Sequence, residues 1–419
     1  MFIKNKHKMT KKSKKSKINS SFMLQTNFEK QLEGAPICRT SNRGWVNWGK
    51  KNDYPQKLSE LYHNSIIHKS CVDFAVSAII GDGIDYDSMQ VNQEELVPNY
   101  QQTWEDFIQA IALDFIIYGS YAFQIIKNRD GKTYSFYHQP ISSVRCGERD
   151  EDGVITKYYI SKDWTAIGKY SPIELDRFGF QDDINIPQGK PYLFVYESYT
   201  PDLDYYSSPR YVGGIKSIQT EIELIRYDLR AVKNNFSANG ILVMPNVETD
   251  EEKQQLINQI KNSFVGADNA NSLIVTFADG TEAENLVNYT KLEKDVDDIN
   301  LFSDTNSRVI DRIVACHRIP SKALIGMPMD STGFSNEGTL LETAYQLYNR
   351  TVAKQNRYIV INTINKMLAM NGVDVKIILK PLTFGLEKVE ENDVESNVIQ
   401  PIQNISENNI EEKITNDEK

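Results

Sequence analysis

The sequence predicts an α+β protein, and three observations carry that prediction. Helical periodicity dominates residues 54–118, and period-two alternation broken by Asp-Gly turns dominates the next eighty residues. Two long amphipathic stretches then flank a small strand–helix–strand unit. At 419 residues with 40% apolar and 25% charged side chains, the chain can bury a core and hold two or three parts.

Order is expected from near Trp45. "YPQKLSELYHNSIIHKSCVDFAVSAIIGDGI" reads as two short helices, with Leu58 and Leu61 inward in the first and Ile67, Cys71, Phe74 and Ala75 inward in the second. Gly81-Asp82-Gly83 stops the second helix. It is G-x-G with no third glycine and no preceding strand, a poor dinucleotide fingerprint. In "TWEDFIQAIALDFIIYGS", Thr103 and Asp106 form a capping-box pattern, and Trp104, Phe107, Ile108, Ile111 and Phe115 recur at helical spacing. Antiparallel strands follow from Tyr121, turning at Asp130-Gly131 and Asp152-Gly153, with "KPYLFVYESYT" as a further strand.

From Ser208 a long helix carries the stripe Ile218, Ile222, Ile225, Leu229, Val232 and Phe236, spaced 4, 3, 4, 3, 4. That spacing is a coiled-coil-like seam, which calls for a partner helix. "ILVMP", "DEEKQQLINQIKNSF" opened by Thr249, and "NSLIVTFADGT" form the small unit. "DVDDINLFSDTNSRVIDRIVACHR" is the second long helix. After a Gly- and Met-containing loop comes a third, with Leu340, Ala344, Leu347, Ile361, Ile364 and Leu368 marking its apolar faces. "VDVKIILKP" at 373–381 is expected to return as a strand.

Composition also excludes function classes. No apolar run nears the roughly 18 residues of a membrane span, and the lysine-bearing N-terminus has no apolar core of a signal peptide, so no membrane partner is expected. The four cysteines, Cys38, Cys71, Cys146 and Cys316, lack any zinc spacing, so neither metal nor cofactor is expected. Net charge is −10, but residues 1–20 hold eight lysines and no acid, whereas 386–419 hold ten acids against three lysines. Both ends read as solvated tails. The basic arm offers a nucleic-acid or acidic-partner contact as its alternative, while an acidic body argues against tight phosphate-driven DNA binding.

The reactive-looking letters lie between 315 and 338. Cys316 and His317 suggest a thiol with its base, but adjacent helical side chains point about 100° apart and cannot pair with each other. Gly333-Phe334-Ser335-Asn336-Glu337-Gly338 is one residue too long for a nucleophile elbow and follows no strand. Ser335 therefore reads as a helix cap. A cysteine or serine hydrolase using Cys316, His317 or Ser335 stands as the rival reading. Arg350, Lys354 and Arg357 share a helix face with no acid among them, suited to acids on a neighbour or to a polyanion.

Taken in order, these segments resemble the tailed-bacteriophage portal proteins, over about Trp45 to Leu382. "FIIYGSYAFQIIKNRDGKTYSFYHQPISSVRC" is similar to the family's strand pattern. "SSPRYVGGIKSIQTEIELIRYDLRAVKNNFSANGILVMP" resembles its first stem helix entering the clip, and "DRIVACHRIPSKALIGMP" the end of its second stem helix. The short acidic C-terminus and the lysine-rich leader depart from the family pattern.

The resemblance implies a portal fold: an α+β wing, two long stem helices flanking a small α/β clip, a tunnel loop and a long tunnel helix. Expected boundaries are a basic arm 1–22, wing 23–207, first stem helix 208–240, clip 241–290 and second stem helix 291–319. A tunnel loop 320–336, tunnel helix and returning wing strand 337–385, and an acidic tail or short crown 386–419 complete them. It further implies a homo-oligomeric ring, a dodecamer, with the Ile218-to-Phe236 stripe as its packing seam. Double-stranded DNA would pass Met327, Met329, Ser331 and Phe334. A large terminase ATPase, a head–tail adaptor and a major capsid or scaffold protein would be the partners, at a capsid vertex of the virion after assembly in the host cytoplasm. No catalysis is implied. A third reading is nucleic-acid binding through the Lys4–Lys17 arm.

Overall fold

A computed structural model describes residues 38–41, 43–94, 96–180, 186–233, 240–245, 249–264, 273–278, 288–291, 296–328 and 337–383. The basic arm, the acidic tail, Phe236, Met329, Ser331, Phe334 and Ser335 lie outside the described residues, as does the side chain of Val232.

The described residues open slightly before Trp45, with a small hairpin of β1 (Arg39–Thr40) and β2 (Val46–Asn47). Helices α1 (Tyr54–Asn64) and α2 (Ile66–Ile80) are separated by Ser65 alone. Ser65 closes one helix and opens the other. Its N–H donates to Leu61 O at 3.0 Å, and its hydroxyl accepts from His68 N–H at 3.0 Å. Cys71, Phe74 and Ala75 are buried as expected, while Ile67 is half-buried against the same core. After the short α3 (Tyr86–Met89), α4 (Trp104–Tyr118) starts with the full Thr103–Asp106 capping box, an arrangement typically worth about 1 kcal/mol. Its five expected apolar positions are all buried.

Six strands follow: β3 (Ser120–Lys127), β4 (Tyr134–Gln139), β5 (Val144–Cys146), β6 (Lys157–Ile160), β7 (Ile173–Arg177) and β8 (Pro191–Glu197). They form one sheet in the order β4-β3-β8-β7-β6-β5. Phe107 of α4 packs edge-on against Phe123 of β3, with ring centroids 5.8 Å apart. The expectation of purely antiparallel pairing fails at one place, since β7 runs parallel to β8 through Asp176↔Tyr192 and Arg177↔Leu193. The chain between them is too long for a hairpin turn, and a crossover connection returns the next strand in the same direction.

After β8, a short 3₁₀ turn at Val212–Gly214 precedes α5 (Ile215–Lys233), so the first long helix starts later than Ser208. Next come β9 (Gly240–Pro245), α6 (Asp250–Phe264), β10 (Leu273–Ala278) and β11 (Asn288–Lys291). β10 lies parallel to β9 with α6 between them in sequence, and β11 is antiparallel on the other side of β9. The 21-residue α7 (Val296–Cys316) then returns along α5. The last long helical run is α8 (Glu337–Tyr348), a π turn at Asn349–Ala353, and α9 (Lys354–Met370).

Two expectations are corrected by this arrangement. Residues 373–381 are extended but form no regular strand. Their one bridge is Ile84↔Leu379, supported by Asp82 N–H to Lys380 O (3.1 Å) and Lys380 N–H to Gly83 O (2.9 Å). The segment they face is only the short link between α2 and α3, which leaves no length for a ladder. A side chain at Gly81 would overlap Lys380 O, so this approach requires glycine. On α8, Leu340 and Leu347 are 47% and 54% exposed rather than core, and Tyr345 and Tyr348 fill the inward face instead. No helix among the described residues is long and apolar enough to cross a membrane.

Candidate functional site

The described candidate residues lie on α5, at the end of α7 and the turn after it, and on the last long helical run. Along α5 the predicted seam is covered only at its base. Ile218 is fully buried, Ile222 half-buried, Ile225 36% exposed and Leu229 54% exposed. The facing helix behaves alike: Val309 and Ile313 near the end of α7 are buried, whereas residues 303–308 are mostly exposed and polar. Among the described residues, the chain thus covers the first turns of the seam and leaves Ile225 and Leu229 exposed.

The base is fixed by contacts that sequence periodicity does not reveal. Glu221 of α5 is only 4% exposed, and its carboxylate accepts from the Ser65 hydroxyl and from Ile67 N–H at 3.1 Å. An α5 side chain therefore caps the N-terminus of α2, where the helix dipole favours a negative charge. A signal for it existed: Glu221 sits three residues after Ile218, on the apolar face, where an acid needs a reason.

Helix α7 ends in a Schellman motif. Arg318 adopts φ 59°, its N–H donates to Ala315 O at 2.9 Å, and Ile319 N–H donates to Val314 O at 3.2 Å. Val314 and Ile319, the two apolar positions of that motif, are both buried. His317 lies at the turn and meets His68 of α2, Nδ1 of His68 being 2.9 Å from Nε2 of His317. Tyr211 packs on both imidazoles, with centroids 4.5 and 5.1 Å away, and its hydroxyl donates to Ile117 O. Burial pushes the imidazole of His317 down to about 4, and burial together with the neighbouring ring pushes His68 lower than usual as well. Two neutral rings sharing one proton satisfy this geometry, and two cations would repel.

Cys316 turns away from His317. Its Sγ donates to Ile313 O at 3.1 Å, and burial pushes the thiol up to about 12. A Cβ on Gly214 would overlap that sulfur and stand 2.8 Å from Cys316 Cβ, so the turn before α5 packs directly on α7. A high thiol pKa and a histidine engaged elsewhere are the opposite of an activated nucleophile. The cysteine-hydrolase rival fails on this geometry.

Past α7, Ser321 caps a 3₁₀ turn (Lys322–Ile325) that ends at Gly326 with φ 81°. Met327 comes next, half-buried, its N–H donating to Lys322 O at 3.2 Å. The three basic residues on the last long helix do not act as one face. Arg350 and Lys354 are exposed, but Arg357 turns to α2, donating to Ile79 O (3.0 Å) and Ala78 O (2.5 Å). It closes carbonyls that the end of α2 leaves open, the role of a cation at a helix C-terminus.

No family model matches the sequence, and no curated protein matches it. Solved structures do. A chain from the virion of a native gene transfer agent particle aligns at a TM-score of 0.50 and 15% identity, covering 86% of this chain and 89% of that one. A chain from the neck of the native particle, computed with C12 symmetry, aligns at 0.49 and 15% identity over 87% and 89%. At that identity the virion chain shows a shared fold over most of both chains.

Proposed function

We propose that this chain is the subunit of a ring-shaped portal in a tailed-phage-like particle. It would form the channel at one capsid vertex for genome packaging, head–tail joining and DNA ejection, with no catalytic chemistry of its own. The observation that carries the reading is the α5 seam, buried at Ile218 and open at Ile225 and Leu229. Burying a Leu or Ile is worth roughly 1.5–3 kcal/mol, and such a stripe is left open when another copy covers it. Repeated head-to-tail contacts that close generate a ring. The fold shared with a gene transfer agent virion chain supports the same assignment.

In this reading the ring has twelve copies and the β9–α6–β10–β11 unit is the clip that receives the large terminase and, later, the head–tail adaptor. Capsid or scaffold protein contacts the wing. The loop from Pro320 to Asn336 is the tunnel loop, with Met327, Met329, Ser331 and Phe334 facing duplex DNA. The acidic balance of the chain, −10 net, favours sliding over sticking, since its 57 acids outweigh its 47 cations and leave little net release of phosphate counterions.

Negative-stain microscopy and native mass spectrometry of the purified full chain test this. Rings are expected, and the pair Ile225→Asp and Leu229→Asp should give folded monomers with unchanged helical circular dichroism. A folded wild-type chain that stays monomeric at micromolar concentration overturns the proposal.

A further inference from the structure

Four exposed cations converge where three separate segments meet: Arg210 before α5, Arg318 after α7, and Arg350 and Lys354 on the last helical run. The residues beside them fix the placement. Tyr211 stacks on His317 with ring centroids 5.1 Å apart, so Arg210 and Arg318 leave the chain on either side of one ring pair. Nη1 of Arg210 then lies 3.5 Å from Oε1 of Gln355, the neighbour of Lys354. Arg350 stands about one turn before Lys354. Tyr348 belongs to the same corner, its ring packed on Phe74 of α2 with centroids 4.9 Å apart. Burial raises its hydroxyl, and the charges of Arg210 and Arg318 both pull it back, so two guanidinium groups act on one point.

None of the four has an ion pair among the described residues, although other exposed cations do: Lys157 with Glu174, Lys190 with Asp176 and Lys322 with Asp311. In a chain of 57 acids and 47 cations, such a gathering is not a shortage of carboxylates. Like charges brought together repel, and an anion from outside relieves that repulsion. The exposed residues between the cations, Thr351 and Gln355, are polar. Centres of protein–protein contacts are depleted of charge, whereas surfaces that meet nucleic acid are polar and cationic. Guanidinium forks match phosphate oxygens two at a time, and the Gln355 amide adds a further donor.

We propose that Arg210, Arg318, Arg350 and Lys354 form a docking patch for the phosphate backbone of duplex DNA. Backbone contacts read no bases, so binding is independent of sequence and sensitive to salt. The patch is complete within one copy and acts whether or not copies close into a ring.

The test uses the full chain and a duplex of about 30 base pairs, with affinity followed from about 50 to 200 mM salt. Each phosphate contact adds about 0.9 to the slope of log K against log salt, so R210Q/R318Q/R350Q/K354Q should lower that slope by about 3–4 and weaken binding at least about tenfold at 50 mM. The charge-keeping R210K/R318K/R350K should retain the slope, and urea midpoints matching wild type show that both variants fold. Acetylation of Lys354, read by mass spectrometry, should slow when duplex is bound while Lys157 and Lys190 react as before. That readout separates the patch from the lysines of the N-terminal arm. An unchanged slope in the glutamine variant, a slope that the lysine variant loses, or a Lys354 equally reactive with and without duplex would overturn the proposal. So would a Lys354 already protected without DNA and joined by carbodiimide to a carboxylate of another copy, which would assign the patch to a protein contact.

Discussion

Acidification should loosen the contact between α2 and the end of α7 before it affects the rest of the fold, because His68 and His317 are neutral there. The imidazole of His317 falls from its ordinary 6.5 to about 4 on folding, and His68 is lowered too. At about 1.4 kcal/mol per unit, His317 alone accounts for at most about 3 kcal/mol, reduced toward about 2 by its partial exposure. The sign is set by linkage. Below pH 6.5 the unfolded chain takes up protons that the folded pair refuses, so stability is full above 6.5 and falls as pH drops toward 4. Glu197 works in the opposite direction, since burial raises its carboxyl from 4.5 to about 7 and the fold therefore gains stability as pH falls through that window. A comparison of slopes removes its contribution. Urea unfolding of the full chain at about pH 7.5, 6.5 and 5.5, monitored by tryptophan fluorescence, should show His317→Gln losing about 1 kcal/mol less per pH unit than wild type below about 6.5. The variant should start lower at the highest pH by about 1 kcal/mol, the usual net worth of one hydrogen bond. Parallel pH slopes for the two proteins would refute a neutral pair at this position.

Three further outcomes are expected. Gly214→Ala should destabilise the chain by about 1–3 kcal/mol through overlap with Cys316, and adding Cys316→Ala should restore part of the loss in thermal unfolding. Arg357→Ala should cost about 1–3 kcal/mol by leaving the Ala78 and Ile79 carbonyls without their donor, and a urea midpoint unchanged from wild type would show that this cap contributes nothing. In the native chain Cys316 should react with a thiol-directed maleimide at about pH 7 far more slowly than in urea, whereas rapid native labelling would revive a reactive thiol.

How much was legible depended on how local the cause was. The Thr103–Asp106 capping box, the Asp130-Gly131 hairpin and the long amphipathic helices are written within one or two turns of chain, so period and cap residues located them. The seam at Ile218, Ile222, Ile225 and Leu229 was equally visible, because spacing alone defines a stripe. Spacing does not say what covers a stripe. On α8 the same reasoning placed Leu340 and Leu347 inward, and packing chose Tyr345 and Tyr348 instead.

By itself the sequence determined the long helices, the Asp130-Gly131 hairpin, the strand–helix–strand order of the small unit, and the absence of a recognisable catalytic motif. The tertiary structure alone decided that β7 lies parallel to β8, that Glu221 and Arg357 cap opposite ends of α2, and that His68 meets His317 across 249 positions. Such contacts join residues whose own neighbourhoods carry no trace of each other. Their geometry is set by how elements distant in sequence pack on one another, which no local period encodes.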